Sequence, residues 1–349
     1  MSQQTQPIAT LEIPQRPCPV DLRILGIGGA LPGRDLQGAV LSNARLTELM
    51  EDARVQLQGR GARCDFAASS PDFPERRIGI SQRHVLDERL TARDLAIVAA
   101  RRALENAEID VSRVRAIIVS SVTQERVVPA IATSVQSALG LPVHAAAFDL
   151  SLGCTGFVAA LDVASGMLAG TEAGSVALVV ARSGKRSPAA WTTRGEDGAK
   201  IAIESTASQS PPMRFRCRDG RLFVEADEVS ARRVTMSGNH VFRDMLRIVP
   251  ERVAQYMRER DLGIEDIDRF VFHQANARML DAISSDARLR IPAHKLPSNI
   301  ADVGNTSSAS IPLLLDELSR RGELRLGERL LLVAFGSGYS LAITELRVC

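Results

Sequence analysis

Four short segments carry the side chains able to do covalent or acid–base chemistry. In the first, Leu150-Ser151-Leu152-Gly153-Cys154-Thr155-Gly156-Phe157, a cysteine sits where an apolar run turns into a helical pattern. A helix N-terminus carries partial positive charge and free N–H groups, and both favour a thiolate. A small buried cysteine at a tight turn has the same local sequence. In the second, Phe272-His273-Gln274-Ala275-Asn276, a histidine ends a strand-like run. Ligands of α/β folds gather at that edge, although a capped surface histidine also occurs there. The third, Gly304-Asn305-Thr306-Ser307-Ser308-Ala309-Ser310, opens a helical pattern, so Asn305 is either a functional amide or an N-cap. The fourth, Phe335-Gly336-Ser337-Gly338-Tyr339-Ser340, is a glycine turn between two apolar runs. Its N–H groups could bind an oxyanion, or it is a plain hairpin.

The elements that must position these segments follow from periodicity. Apolar runs at 22–27, 114–120, 145–150, 175–180, 269–272, 329–335 and 340–347 predict strands. Helical spacing predicts helices at 92–106, 128–139, 154–169, 245–258, 277–287 and 307–320. Thr91 offers an N-cap, and Pro129 is read into the first turn of its helix. The alternation predicts an α/β layered protein. The stretches 33–81 and 182–220 read as loose and loop-rich.

The order of elements recurs. A strand ending near Val119 precedes the Gly153-Cys154 helix, and a strand ending near Phe272 precedes the Gly304-Asn305 helix. A long internal duplication is therefore expected, with two similar α/β halves about a pseudo-two-fold axis. Cys154 and Asn305 are expected at equivalent helix starts, facing one another across the join. The expected parts are a mobile tail at 1–20, a first half at 21–205 with the cysteine, and a second at 206–349 with the histidine and asparagine.

Composition excludes several classes. Among 349 residues, 43 basic and 41 acidic side chains leave a net charge of +2. That balance gives no polyanion-binding stripe, so no nucleic-acid partner is expected, and it is too low for a disordered chain. No apolar run of about 18 residues offers a membrane span. The five cysteines, Cys18, Cys64, Cys154, Cys217 and Cys349, form no Cys-x-x-Cys pair, so no metal site is expected. Their odd number, with no secretory pattern at the start, predicts a reducing cytoplasm.

Taken together and in order, the four segments resemble the β-ketoacyl-acyl carrier protein synthase III family, of thiolase fold. Gly-Cys-Thr-Gly-Phe, His-Gln-Ala-Asn-x-Arg, Gly-Asn-Thr-Ser-x-Ala-Ser and Ala-Phe-Gly-x-Gly carry the resemblance, which spans about 22–348. Minor echoes are Arg77, Gly79, Ile80, Arg83 and His84, and the Gly238-Asn239-His240-Val241-Phe242 segment. The resemblance implies a five-layered αβαβα thiolase fold and a cytoplasmic homodimer. It implies that Cys154 accepts an acyl group from an acyl-CoA. His273 and Asn305 would hold the thioester carbonyl of a malonyl group on an acyl carrier protein. Loss of CO₂ then gives an enolate that attacks acyl-Cys154, forming a 3-oxoacyl thioester. The N–H of Cys154 and the backbone at Gly336, Ser337 and Gly338 would hold the tetrahedral oxyanion. No cofactor is implied beyond CoA and phosphopantetheine thioesters as substrates.

Weaker carried-over positions are Asn276, Gly238 and Phe242 along a pantetheine tunnel, and Phe73, Arg77 and Arg194 against CoA. Arg278 matches a residue linked to carrier docking, and Val128 precedes the proline beside a partner's acyl pocket. Three departures point to a specialised rather than a housekeeping member. The segment after Arg194 is short, the region 33–74 is long, and Val128 stands where the family often has Phe. The same residues leave open an acyltransferase without decarboxylation, an enzyme joining two acyl chains, or a silent partner subunit. The local cysteine signatures of cysteine peptidases are missing.

Overall fold

The computed structural model describes residues 22–59, 70–122, 128–182, 202–204, 213–226, 233–235 and 238–349. The expected tail at 1–20 and Arg194 lie outside the described residues.

In chain order the first elements are β1 (Arg23–Ile24), β2 (Gly38–Ser42), α1 (Asn43–Gly59), α2 (Phe73–Ile78) and β3 (Gln82–Leu86). There follow α3 (Ala92–Ala107), β4 (Val114–Ser120), α4 (Ile131–Ala138), β5 (Ala146–Leu150), α5 (Gly156–Leu168) and β6 (Val176–Ala181). Four short strands come next: β7 (Ala202–Glu204), β8 (Met213–Arg218), β9 (Arg221–Ala226) and β10 (Arg233–Thr235). The second series is α6 (Gly238–Glu259), β11 (Arg269–Phe272), α7 (Ala277–Ser284), α8 (Ile300–Val303), α9 (Ser310–Arg320), β12 (Arg329–Gly336) and β13 (Ser340–Val348).

Two sheets form the frame. One has the order β5-β4-β6, all parallel. The other has the order β1-β13-β12-β11, with only the β12–β13 pair antiparallel. Their central strands are apolar on both faces, and alternate residues serve different cores. Ile117 and Val119 of β4 meet Ala96 and Ala100 of α3 and Val135 of α4. Ile118 turns the other way, onto Ala160 and Ala164 of α5. In β12, Leu331, Val333 and Phe335 join Val249 of α6 and Leu280 of α7. Leu330, Leu332 and Ala334 instead join Phe157 of α5 and Leu314 of α9. The layers are therefore α3/α4, sheet, α5/α9, sheet and α6/α7, the expected αβαβα order. The two middle helices run from the ends that carry Cys154 and Asn305.

Three expectations need correction. The stretch 33–81 contains β2, α1 and α2. Leu41, Leu49 and Ala53 there, with Val85 of β3, bury a small core that also takes Cys217. The stretch 182–220 contains β7 and β8. The helix expected at 128–139 begins only at Ile131, and the Val128–Pro129 peptide before it is cis. Asp149 of β5 supplies what Pro129 was expected to supply. Its carboxylate accepts from the N–H groups of Ile131 and Ala132 at 2.8 and 2.9 Å. The first two free amides of α4 are thereby satisfied from a neighbouring strand. Thr91 does cap α3, in a reciprocal box with Asp94.

Candidate active site

Both site helices enter through a single 3₁₀ turn. Gly153–Thr155 precedes α5 and Ser307–Ala309 precedes α9. The two turns face each other, and Cys154 Sγ lies 3.5 Å from Ser307 Oγ. Asn305 is not itself at the helix start. It lies two residues ahead of the turn, where its Oδ1 accepts the Ser307 N–H at 2.9 Å. Its Nδ2 donates to the Ala275 carbonyl at 3.4 Å. The amide is thus oriented from both ends and ties its loop to the one that follows His273. Ser307 holds φ at +54°, an uncommon conformation for a residue with a β-carbon.

His273 closes β11 and is 1% exposed. Its Nδ1 lies 2.6 Å from Ser310 Oγ, in the first turn of α9. Its ring meets Phe335 edge-on, with centroids 5.6 Å apart and planes at 72°. Gln274 anchors the loop beyond. Its amide donates to the Phe272 carbonyl, while its Oε1 accepts from Ser298 Oγ and the Asn299 N–H.

The end of β12 joins cysteine to histidine. Phe335 packs on the imidazole, and the next residue, Gly336, packs on the thiol. A β-carbon at Gly336 would sit 2.7 Å from Cys154 Cβ and 3.2 Å from Sγ. Only glycine permits this approach. Gly336→Ala is therefore expected to slow acylation of Cys154 about 100-fold, by displacing the sulfur. The rate at which the thiol gains acyl mass measures this, and an unchanged rate would refute the close contact. Ser337–Tyr339 forms the tight turn between β12 and β13, with Gly338 at φ +69°. Tyr339 Oη donates to Asp244 of α6 at 2.6 Å, which fastens that turn to the helix carrying Gly238 and Phe242.

Electrostatics set the resting state. Burial pushes the Cys154 thiol up, and the Ser307 hydroxyl and the cysteine's own backbone only partly offset it. The helix-terminus effect expected from sequence is thus outweighed by desolvation. Burial lowers His273 to about 4, so its imidazole is neutral at neutral pH. The resting pair is a thiol and a neutral imidazole. This has a consequence for stability. Between pH 6.5 and about 4 the unfolded chain binds a proton at this histidine and the folded chain does not. Stability should fall as pH drops through that window, by up to roughly 3 kcal/mol. Urea midpoints of the wild type and His273→Asn at pH 7 and 5 check it. The variant should lose less stability on acidification, and equal losses would count against a buried neutral histidine.

The remaining expected positions are scattered around this centre. Phe73 and Arg77 share an exposed face of α2, with the Arg77 guanidinium 5.8 Å over the Phe73 ring. Gly79 ends α2 at φ +74°, and its missing side chain lets it press against Ala277. That contact sets α2 beside the start of α7, where Arg278 is exposed. Asn276 caps α7, accepting from the Arg278 and Met279 N–H groups at 2.9 and 3.4 Å. Phe242 is partly buried against the outer core. Val128 is 80% exposed, ahead of the start of α4. Sequence reasoning missed Ser307 and Ser310 as site neighbours, because its motif treated them only as small residues. Among the described residues no group of His, Cys, Asp or Glu could hold a metal ion. Among them, too, no helix is long and apolar enough to cross a membrane.

The αβαβα layers, with the helix starts at Cys154 and Ser307 facing one another, are those of a thiolase-fold condensing enzyme. Residues 257–348 match the family described as 3-oxoacyl-[acyl-carrier-protein] synthase III, C terminal. A Streptomyces coelicolor protein named β-ketoacyl-[acyl-carrier-protein] synthase III 3 is 31% identical over 345 residues, covering 90% of this chain and 93% of its own. Among solved structures, a 3-oxoacyl-(acyl-carrier-protein) synthase III superposes with a TM-score of 0.68 at 27% identity, covering 94% of this chain and all of its own. The priming β-ketosynthase of the R1128 polyketide pathway superposes at 0.67 with 26% identity, covering 93% of this chain and 96% of its own. The chain belongs to the β-ketoacyl-[acyl-carrier-protein] synthase III family and is an acyl-transferring condensing enzyme.

Proposed function

We propose that this enzyme joins an acyl-CoA to a malonyl-acyl carrier protein by decarboxylative Claisen condensation. The Cys154 sulfur attacks the acyl-CoA carbonyl, its thiol proton passes to the departing CoA sulfur, and CoA leaves as the free thiol. One thioester replaces another, so the exchange is nearly isoenergetic. The malonyl thioester then loses CO₂, and its electron pair passes to an enolate held by His273 and Asn305. The enolate carbon attacks acyl-Cys154, the tetrahedral oxyanion collapses, and the Cys154 thiolate departs. A 3-oxoacyl thioester remains on the carrier. Backbone N–H groups at Cys154 and in the Gly336–Gly338 turn serve the oxyanion.

One observation carries this reading. Phe335 and Gly336 are consecutive, and one contacts His273 while the other contacts Cys154. That supports a nucleophile and a hydrogen-bonding imidazole held at the same end of β12, with the turn beyond Asn305 facing the thiol. Phe73 and Arg77 make a flat cationic platform suited to an adenine and phosphates, and Arg278 nearby suits an acidic carrier. Arg194, Gly238, Phe242 and Asn276 are proposed along the same approach. The edge strand β5 and exposed Val128 offer a surface for a second copy, and the proposed state is a cytoplasmic homodimer. Fatty acid or polyketide synthesis is the setting that fits. A panel of acyl-CoAs, followed by intact mass, tests the first step. Labelled malonyl-carrier and the release of labelled CO₂ test the second. A chain that gains no acyl mass from any of the panel would end the proposal.

A further inference from the structure

We infer that Ser310 is a positioning residue that keeps the His273 proton on Nε2, and so makes the imidazole a hydrogen-bond donor toward substrate. The inference rests on the reaction proposed above. The bond inventory at Ser310 carries it. Its Oγ lies 2.6 Å from His273 Nδ1 and accepts the Gln274 N–H at 3.3 Å. Ser310 is 2% exposed, and among the described residues its hydroxyl has these two partners only.

A hydroxyl has one proton to give. The Gln274 contact uses an oxygen lone pair, so that proton remains to be placed. If it goes to Nδ1, Gln274, Ser310 and the Nδ1 atom are all satisfied. Gln274 donates to Ser310, Ser310 donates to Nδ1, and the single imidazole proton sits on Nε2. If Nδ1 carried the proton, it would donate to Oγ, which already accepts from Gln274. The Ser310 proton would then be buried with no acceptor, which native structures avoid. The tautomer follows from the hydrogen bond at the other ring nitrogen, as is usual for histidine.

The consequence is a division of labour. An imidazole with Nε2–H can donate to a thioester carbonyl and stabilise an enolate. It has no lone pair at that nitrogen for taking the Cys154 proton. Ser310 should therefore matter to decarboxylation and not to acylation. Nothing in the local sequence of His273 reveals this, because Ser310 lies 37 residues away.

The test uses the whole enzyme with ¹⁵N-labelled histidine, and His273 assigned by its absence in His273→Gln. The wild type should show a protonated Nε2 and a bare Nδ1. Ser310→Ala should show both tautomers. Its decarboxylation kcat should fall about tenfold with KM little changed, while acylation of Cys154 stays within about twofold. Ser310→Thr should restore both the tautomer and the rate. A wild-type spectrum with the proton on Nδ1 would overturn the inference, with no variant needed. So would a Ser310→Ala spectrum still showing Nε2–H alone together with an undiminished kcat. A wild type that forms acyl-Cys154 but releases no CO₂ would defeat the proposed condensation instead, leaving the spectra to decide Ser310.

Discussion

Cys154→Ala is expected to form no acyl adduct and to lose condensation by about 10⁴-fold or more, as removal of a covalent nucleophile does. It should still release CO₂ from malonyl-carrier. The reason is how the site is held. His273 is fixed by Ser310, Gln274 and Phe335, and Asn305 by Ala275 and the Ser307 N–H. None of those bonds includes the thiol. Cys154 meets the second half through the Ser307 hydroxyl and the backbone of Gly336, and alanine fits the second contact without strain. Intact mass and CO₂ release, measured on one preparation, separate the two outcomes. Loss of both would mean that the thiol organises the site, and retention of both would mean that it is not the nucleophile. The pH profile adds a check. Burial holds the thiol above its ordinary range, so wild-type acylation should keep rising with pH past the point where a free cysteine levels off.

The legibility of this arrangement in the sequence was uneven, for physical reasons. β4 and β11 match their expected bounds, because uninterrupted apolar runs have one low-energy fate, burial on both faces. Cys154, His273 and Asn305 stand out as candidates because their small and glycine neighbours mark turns. The segment holding β2 and α1 was missed, although Leu46, Leu49, Met50 and Ala53 keep helical spacing. The glycine-, serine- and proline-rich stretches around it carry turn chemistry that masks this spacing. The Val128–Pro129 bond was placed in a helix, because sequence does not distinguish a cis from a trans proline. The thiol's shift is upward, opposite to the direction a helix start alone implies. A helix start is visible in one segment, but desolvation depends on elements brought from elsewhere, such as Gly336, 182 residues away. Pairing across such distances, including β1 with β13, is set by the packed layers and leaves no local trace.

His273→Ala and Asn305→Ala should leave the opposite half of the reaction. Each removes one donor from the proposed enolate site, and decarboxylation is expected to fall about 100–1000-fold in each. Acylation should persist, since the thiol's hydrogen-bond partner is the Ser307 hydroxyl. The two variants should differ in their side effects. His273 fills buried space beside Phe335, so alanine there leaves a cavity and should lower the melting temperature. Asn305 is only partly buried, but its Oδ1 restrains Ser307 at φ +54°. Its loss frees that strained turn, which contacts Cys154, so a small fall in acylation should accompany the large fall in decarboxylation. Asn305→Asp keeps the acceptor for the Ser307 N–H and removes the donor. It should therefore hold acylation at the wild-type rate while decarboxylation stays low. Single-turnover acylation and CO₂ release on the three variants read this directly. Equal loss of both steps in Asn305→Asp would show that Asn305 serves the thiol rather than the enolate.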